Sequence, residues 1–279
     1  MHTEKNFKYL YLLLAGLALF VFGSLIGMQI TYLFANGLYD LSYEEARNSL
    51  YLLSNYYSNE MHDEFVTIGE YAKDFFRDNP MLFSQAKTLM CINQFVSYMP
   101  VIIFIIIALF KDIKKDLKGM KKETGRNLLI VLVGSVILFA STILIANIYS
   151  LLGDEGQSEN QNIIELLMRS NGLWLMLFCV VILAPFVEEF IFRKLIIDTC
   201  EKTFNLKPWI AIAISAILFA FIHVSDLENI KYIFQYLALS VPLTLVYHYS
   251  KNNVCVSFLV HLINNLIAAI SVLLSMWLV

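Results

Sequence analysis

The chain has 279 residues, of which 58% are hydrophobic and only 15% charged; its mean hydropathy is +0.66 and its formal net charge is −3. A soluble domain of this size carries about a quarter charged residues, so the composition excludes an ordinary soluble enzyme, and nothing in the charge suggests a nucleic-acid partner. The four cysteines, Cys91, Cys179, Cys200 and Cys255, are scattered without a C-x-x-C pair, which argues against a disulfide framework or a cysteine metal site.

Repeated apolar stretches of roughly 20 residues, the length that crosses about 30 Å of hydrocarbon, predict an all-α, polytopic transmembrane helical bundle. Seven spans are expected, at about 9–35, 89–110, 127–152, 173–195, 209–224, 230–249 and 254–278. The first is too long for a secretory leader and lacks a small-residue cleavage site, so it reads as a retained helix.

Basic residues set the expected orientation. Lys5 and Lys8 precede the first span, and the loop after the second holds Lys111, Lys114, Lys115, Lys118, Lys121, Lys122 and Arg126. Lys194, Lys202 and Lys207 follow the fourth span, and Lys251 lies in the last loop. The opposite loops carry Asp154, Glu155, Glu159, Asp226 and Glu228. The positive-inside rule then places the N-terminus and the basic loops in the cytoplasm, in an integral membrane protein of a bacterial plasma membrane. Contact of the 111–126 stretch with anionic headgroups is a second reading of those lysines.

The longest piece outside the membrane, about 36–88, has apolar residues at helical spacing, among them Leu50, Leu53 and Tyr57. Interfacial or extracytoplasmic helices are expected there, without catalytic residues. The chain thus divides into 1–152, N-terminal membrane helices with this segment, and 153–279, a core holding the polar clusters.

Three such clusters lie within apolar spans. Glu188 and Glu189 stand in Ala184-Pro185-Phe186-Val187-Glu188-Glu189-Phe190-Ile191-Phe192-Arg193, and ionisable residues at membrane depth mark functional sites by default. Glu189 and Arg193, four apart, can pair on one helix face. Glu188 points about 100° away and lacks that partner, which suits a general base. Pro185 removes a backbone donor beside the pair. His223 shares a four-residue stripe with Ala211, Ser215 and Phe219. His261 and Asn265 are one turn apart on the last span, where two donors can meet one developing oxyanion; Asn264 competes with Asn265 at three-residue spacing. Each cluster alone fits a packing role: snorkelling charges, a hydrogen-bonded core histidine, an interhelical amide. Together they supply base, water orienter and oxyanion donors for hydrolysis of an amide. Neither Ser nor Cys is placed as a covalent nucleophile beside the histidines. His-Glu-x-x-His is absent, although Glu188, His223 and His261 are the ligands zinc would use if a metal were bound. His2, His62 and His248 lie outside the spans or at a helix end.

At these residues the chain resembles the CPBP intramembrane proteases, the family of type II CAAX prenyl endopeptidases and bacteriocin-processing enzymes. The motifs are Glu188-Glu189-Phe190-Ile191-Phe192-Arg193, Phe219-Ala220-Phe221-Ile222-His223 and His261-Leu262-Ile263-Asn264-Asn265, in the family's order. The resemblance covers roughly 173–279. It implies an endopeptidase in which Glu188 and His223 activate water, His261 and Asn265 stabilise the oxyanion, and Glu189 and Arg193 support the site. It also implies a peptide or membrane-associated protein substrate, with CAAX processing, bacteriocin immunity or pheromone handling as settings. The family is often called metalloendopeptidases, but its motifs equally suit a metal-free glutamate mechanism, and no cofactor is expected here.

Two other function classes use such residues. A non-enzymatic regulator would employ the same fold to bind a partner membrane protein such as a sensor kinase. A proton-coupled transporter would show broken helices in repeated halves, and no internal repeat is visible.

Straight spans raise one geometric difficulty. At 1.5 Å per residue, Glu188 falls roughly 24 Å from the outer surface and His223 about 22 Å from the inner one, in opposite halves of the bilayer. Convergence requires tilt, a kink at Pro185, or a fifth helix that starts below the surface after Pro208.

Overall fold

The computed structural model describes residues 7–58, 66–153, 158–224 and 229–277. Lys5, Asp154, Glu155, Asp226 and Glu228, on which part of the orientation argument rests, lie outside the described residues, as do His2 and His62.

All regular elements among the described residues are helical. They are α1 Lys8–Tyr39, α2 Tyr43–Ser54, α3 Ile68–Asp78, α4 Pro80–Ala108, α5 Phe110–Lys122, α6 Thr124–Leu151 and α7 Glu159–Met168. The composite α8, Leu173–Lys202, α9, Pro208–Ile222, α10, Ile233–Tyr249, and α11, Val254–Trp277, complete the chain. Among the described residues, six helices are long and apolar enough to span a membrane, and α9 is a shorter apolar helix. The protein is therefore an integral membrane helical bundle of about seven spans. The expected second span began at residue 89, but α4 begins at Pro80, because Pro is well suited to a first helical turn.

The chain forms two compact units, one of residues 1–20, 101–156 and 180–279 and the other of 21–100 and 157–179. In the second unit, α2 and α3 each start on a capping box. Ser42 accepts from the Glu45 amide while Glu45 accepts from the Ser42 amide, and Thr67 and Glu70 repeat the arrangement. Such reciprocal caps satisfy amides that a helix start leaves without partners. The apolar face of α2 then buries Ala46 and Leu50 against Tyr32 and Ala35 of α1 and Leu89 of α4. Leu53 is buried too, while Tyr57 lies beyond the end of α2.

In the first unit, Val131 and Leu138 of α6 pack with Leu243 and Val246 of α10 and Val256 and Val260 of α11. Pro242 sits inside α10 and donates no bond to the carbonyl four residues earlier, that of Ala238. The Ser141 hydroxyl of α6 donates to that oxygen at 2.7 Å. A neighbouring hydroxyl is one way a bilayer helix satisfies the carbonyl a proline frees, and this bond ties α6 to α10.

Candidate functional site

The three clusters meet within the first unit. Glu188 and Glu189 come from α8, His223 caps the C-terminus of α9, and His261 and Asn265 lie on α11. The expected depth conflict is resolved by irregular helices. α9 has only 15 residues, about 22 Å of rise, so it is shorter than a full span. α8 contains two π-helical stretches, Cys179–Leu183 and Glu189–Ile196, on either side of the turn that holds Pro185 and Glu188. A π-bulge shifts the side-chain register, and such bulges often sit at functional sites.

The Glu188 carboxylate stands between two imidazoles. Its Oε1 is 3.8 Å from His223 Nε2 and its Oε2 is 3.7 Å from His261 Nε2. Both separations exceed a direct hydrogen bond. Glu188 and His223 side chains retain 19% and 17% exposure, against 2% for His261, so the carboxylate can meet solvent or substrate.

The tautomers follow from the partners. His223 Nδ1 lies 2.7 Å from the Phe219 carbonyl oxygen. A carbonyl only accepts, so Nδ1 carries the proton and Nε2 faces Glu188. His261 Nδ1 is 3.0 Å from Glu189 Oε1, and the same logic fixes its Nδ1–H toward the carboxylate, again presenting Nε2 to Glu188. The second oxygen of Glu189 lies 3.4 Å from Arg193 Nε, with both side chains fully buried. Arg193 also donates toward Ser240 Oγ at 3.5 Å and lies with its guanidinium carbon 4.6 Å from the Phe219 ring centroid. Phe219 stacks on His223 at 4.4 Å between ring centroids, and the Tyr236 ring of α10 lies 4.9 Å from the same imidazole. Glu189 is thus a hub: it orients His261 and holds Arg193, while Phe219 walls both the cation and His223.

Asn265 donates from Nδ2 to the Val180 carbonyl at 2.9 Å, and its Oδ1 accepts from Asn264 at 3.1 Å. One amide N–H is therefore committed to the backbone of α8, and the second N–H of the same nitrogen is the donor available to an oxyanion.

Of the residues singled out from the sequence, Glu188, Glu189, Arg193, His223 and His261 come together directly, while Asn265 reaches α8 through the Val180 carbonyl. Sequence reasoning missed the Glu189–His261 bond, the support from Ser240 and Tyr236, and the Ser215 hydroxyl donating to the Phe192 carbonyl at 2.8 Å. Ser215 stood on the His223 stripe as a small packing residue; only the π-helical carbonyl of Phe192 gives its hydroxyl a task. For a metal at Glu188, His223 and His261, no group of three or more His, Cys, Asp or Glu with metal-holding geometry occurs among the described residues. No step is assigned to a metal.

Fold and site define a class: a polytopic helical membrane protein with a carboxylate between two imidazoles drawn from three helices. Residues 170–267, a little over a third of the chain, match the family model described as type II CAAX prenyl endopeptidase Rce1-like. That match contains all three motifs and supports a CPBP-family intramembrane protease. Neither the curated proteins nor the solved structures gave a match.

Proposed function

We propose that the chain is an intramembrane endopeptidase that hydrolyses a peptide bond of a peptide or membrane-associated protein near the basic, cytoplasmic face, with 153–279 as its catalytic core. The observation that carries this reading is the Glu188 carboxylate held 3.8 and 3.7 Å from the Nε2 atoms of His223 and His261. A water bound to Glu188 and His223 from their exposed side loses its proton to that pair as its oxygen adds to the scissile carbonyl carbon. The carbonyl oxygen becomes an oxyanion, which accepts from His261 Nε2 in its protonated form and from the second N–H of Asn265. Collapse breaks the C–N bond, and the leaving amine takes the proton from the Glu188–His223 pair. Glu189 and Arg193 do not touch the reacting atoms; they fix His261 and the turn that carries Glu188.

The test is cleavage of a candidate peptide library by purified, detergent-solubilised protein, compared with Glu188→Ala and His261→Ala, each with and without a chelator. Cleavage by wild type alone supports the protease, and chelator sensitivity would restore a metal to the mechanism. Should wild type and variants behave alike while all restore one cellular phenotype, a partner-binding regulator replaces the enzyme.

A further inference from the structure

The short helix α5 is not part of the site, yet it is fastened to two of the three helices that carry it, α8 and α11. Its thirteen residues follow α4 directly and precede α6. At 100° per residue, Asp112, Asp116, Gly119, Met120 and Ile113 share one face, and burial follows the wheel: Asp116 is buried and the other four are half-buried. Asp112 Oδ1 lies 3.5 Å from Lys194 Nζ, on the residue after Arg193 of α8. Asp116 Oδ2 accepts from the Val254 amide at 3.1 Å, at the first residue of α11, two turns before His261. The Asp116 carbonyl accepts from Asn253 at 2.8 Å. At the end of α5, Glu123 Oε1 accepts from Lys251 at 2.6 Å and Arg126 donates to the Tyr249 carbonyl at 2.6 Å, closing the helix onto the turn before α11.

The opposite face is different. Lys111, Lys114, Lys115, Lys118, Lys121 and Lys122 are all exposed and occupy one continuous arc that no acidic residue interrupts. Phe110 and Leu117 border the arc on one side, 58% and 50% exposed. A helix with an apolar edge beside a lysine face lies in the plane of a bilayer surface, with its apolar edge among acyl chains and its cations at the headgroups. Topology signalling accounts for lysines in this loop, but it does not account for their segregation from Asp112 and Asp116 on a docked helix.

We propose that α5 is an anionic-lipid-binding clamp: its lysine face engages negatively charged headgroups, and its aspartate face transmits that engagement to α8 and α11. Lipid phosphates attract each lysine within a Debye length of the surface. Seating the helix holds Asp116 on the start of α11 and Asp112 on Lys194, and so steadies the two helices that place Glu189 and His261. The effect on hydrolysis rests on the protease reading; the binding and the coupling to Val254 do not.

The experiment uses the full chain in nanodiscs of phosphatidylcholine alone or of phosphatidylcholine with phosphatidylglycerol, reading amide hydrogen exchange in α5 and around Val254. Phosphatidylglycerol is expected to slow exchange several-fold at both places, and high salt to reverse the effect. Changing Lys114, Lys115, Lys118, Lys121 and Lys122 together to Gln should abolish the response, and changing the same five to Arg should keep it. Equal exchange in the two lipid compositions overturns the proposal, as does loss of the response in the arginine set. Free inorganic phosphate that reproduces the protection in phosphatidylcholine nanodiscs also overturns it, since the ligand would then be soluble phosphate. Peptide cleavage in the same nanodiscs separates the two readings. With lipid-dependent exchange but no cleavage under any condition, the clamp stands and the protease fails; with cleavage but lipid-independent exchange, the reverse holds.

Discussion

The side-chain amide of Asn265 donates to the carbonyl oxygen of Val180 at 2.9 Å, and Val180 lies five residues before Pro185, within the π-helical stretch Cys179–Leu183. Five residues is the π-helical hydrogen-bonding interval, so Pro185 stands where a backbone donor for that oxygen would otherwise be. Asn265 supplies the donor from another helix, as Ser141 does for Ala238 behind Pro242. The amide proposed for the oxyanion therefore also braces the turn that carries Glu188.

Two functions in one side chain can be separated. Asn265→Ala leaves the Val180 carbonyl without its partner and is expected to cost about 1–3 kcal/mol as well as most of the hydrolysis. Pro185→Ala restores a backbone N–H, so Pro185→Ala with Asn265→Ala should recover much of the stability and none of the lost activity. Thermal unfolding in detergent beside peptide cleavage measures both. Equal stability of the single and double variants would disprove the proline account.

The two adjacent glutamates should respond in opposite ways. Glu188 is partly exposed and makes no contact with either histidine closer than 3.7 Å, so Glu188→Gln should fold normally while cleavage falls about 10²–10⁴-fold. Glu189→Ala leaves the fully buried Arg193 without its carboxylate, and breaking such a pair costs about 3–5 kcal/mol. Yield of folded protein and melting temperature should drop for Glu189→Ala alone.

Glycines of α1 offer a packing test within the second unit. A Cβ added at Gly23 would lie 2.7 Å from the Ser97 carbonyl oxygen of α4, whereas one at Gly37 meets nothing within 4 Å. Gly23→Ala must therefore push two helices apart and should cost about 1–3 kcal/mol. Gly37→Ala should be neutral or stabilise by up to about 1 kcal/mol through helix propensity. Size-exclusion melting curves of the two variants check the contrast.

A pH dependence is expected at the end of α5. Hydrogen bonds from Lys251 and Arg126 hold the Glu123 carboxyl below its usual range. A carboxylate whose folded value is depressed stabilises the fold above its unfolded value, near 4.3, and loses that contribution as pH falls through the folded one. Acidification below about 4.3 should therefore loosen the α5–α11 turn, seen as faster proteolytic nicking near Lys251. Glu123→Gln should already be loosened at neutral pH and should lack the acid-induced step.

Membrane spans, their number and the order of the three motifs were legible in the sequence because hydropathy and residue spacing are local properties. The Glu189–Arg193 pair was legible for the same reason: four residues on a helix bring side chains together wherever the helix lies. The meeting of Glu188 with His223 was expected only through the motif resemblance, since straight helices at 1.5 Å per residue separate them by half a bilayer. Only the tertiary structure shortens α9, bends the register of α8 through π-helical turns, and gives their stray carbonyls to Asn265 and Ser215. The 279 residues determined by themselves that the chain enters a membrane and which polar groups it carries there. Which of those groups face one another was decided by hydrogen bonds between helices, because in hydrocarbon a backbone oxygen that a proline or a bulge releases must find a donor, and here Asn265, Ser141 and Ser215 supply it from neighbours.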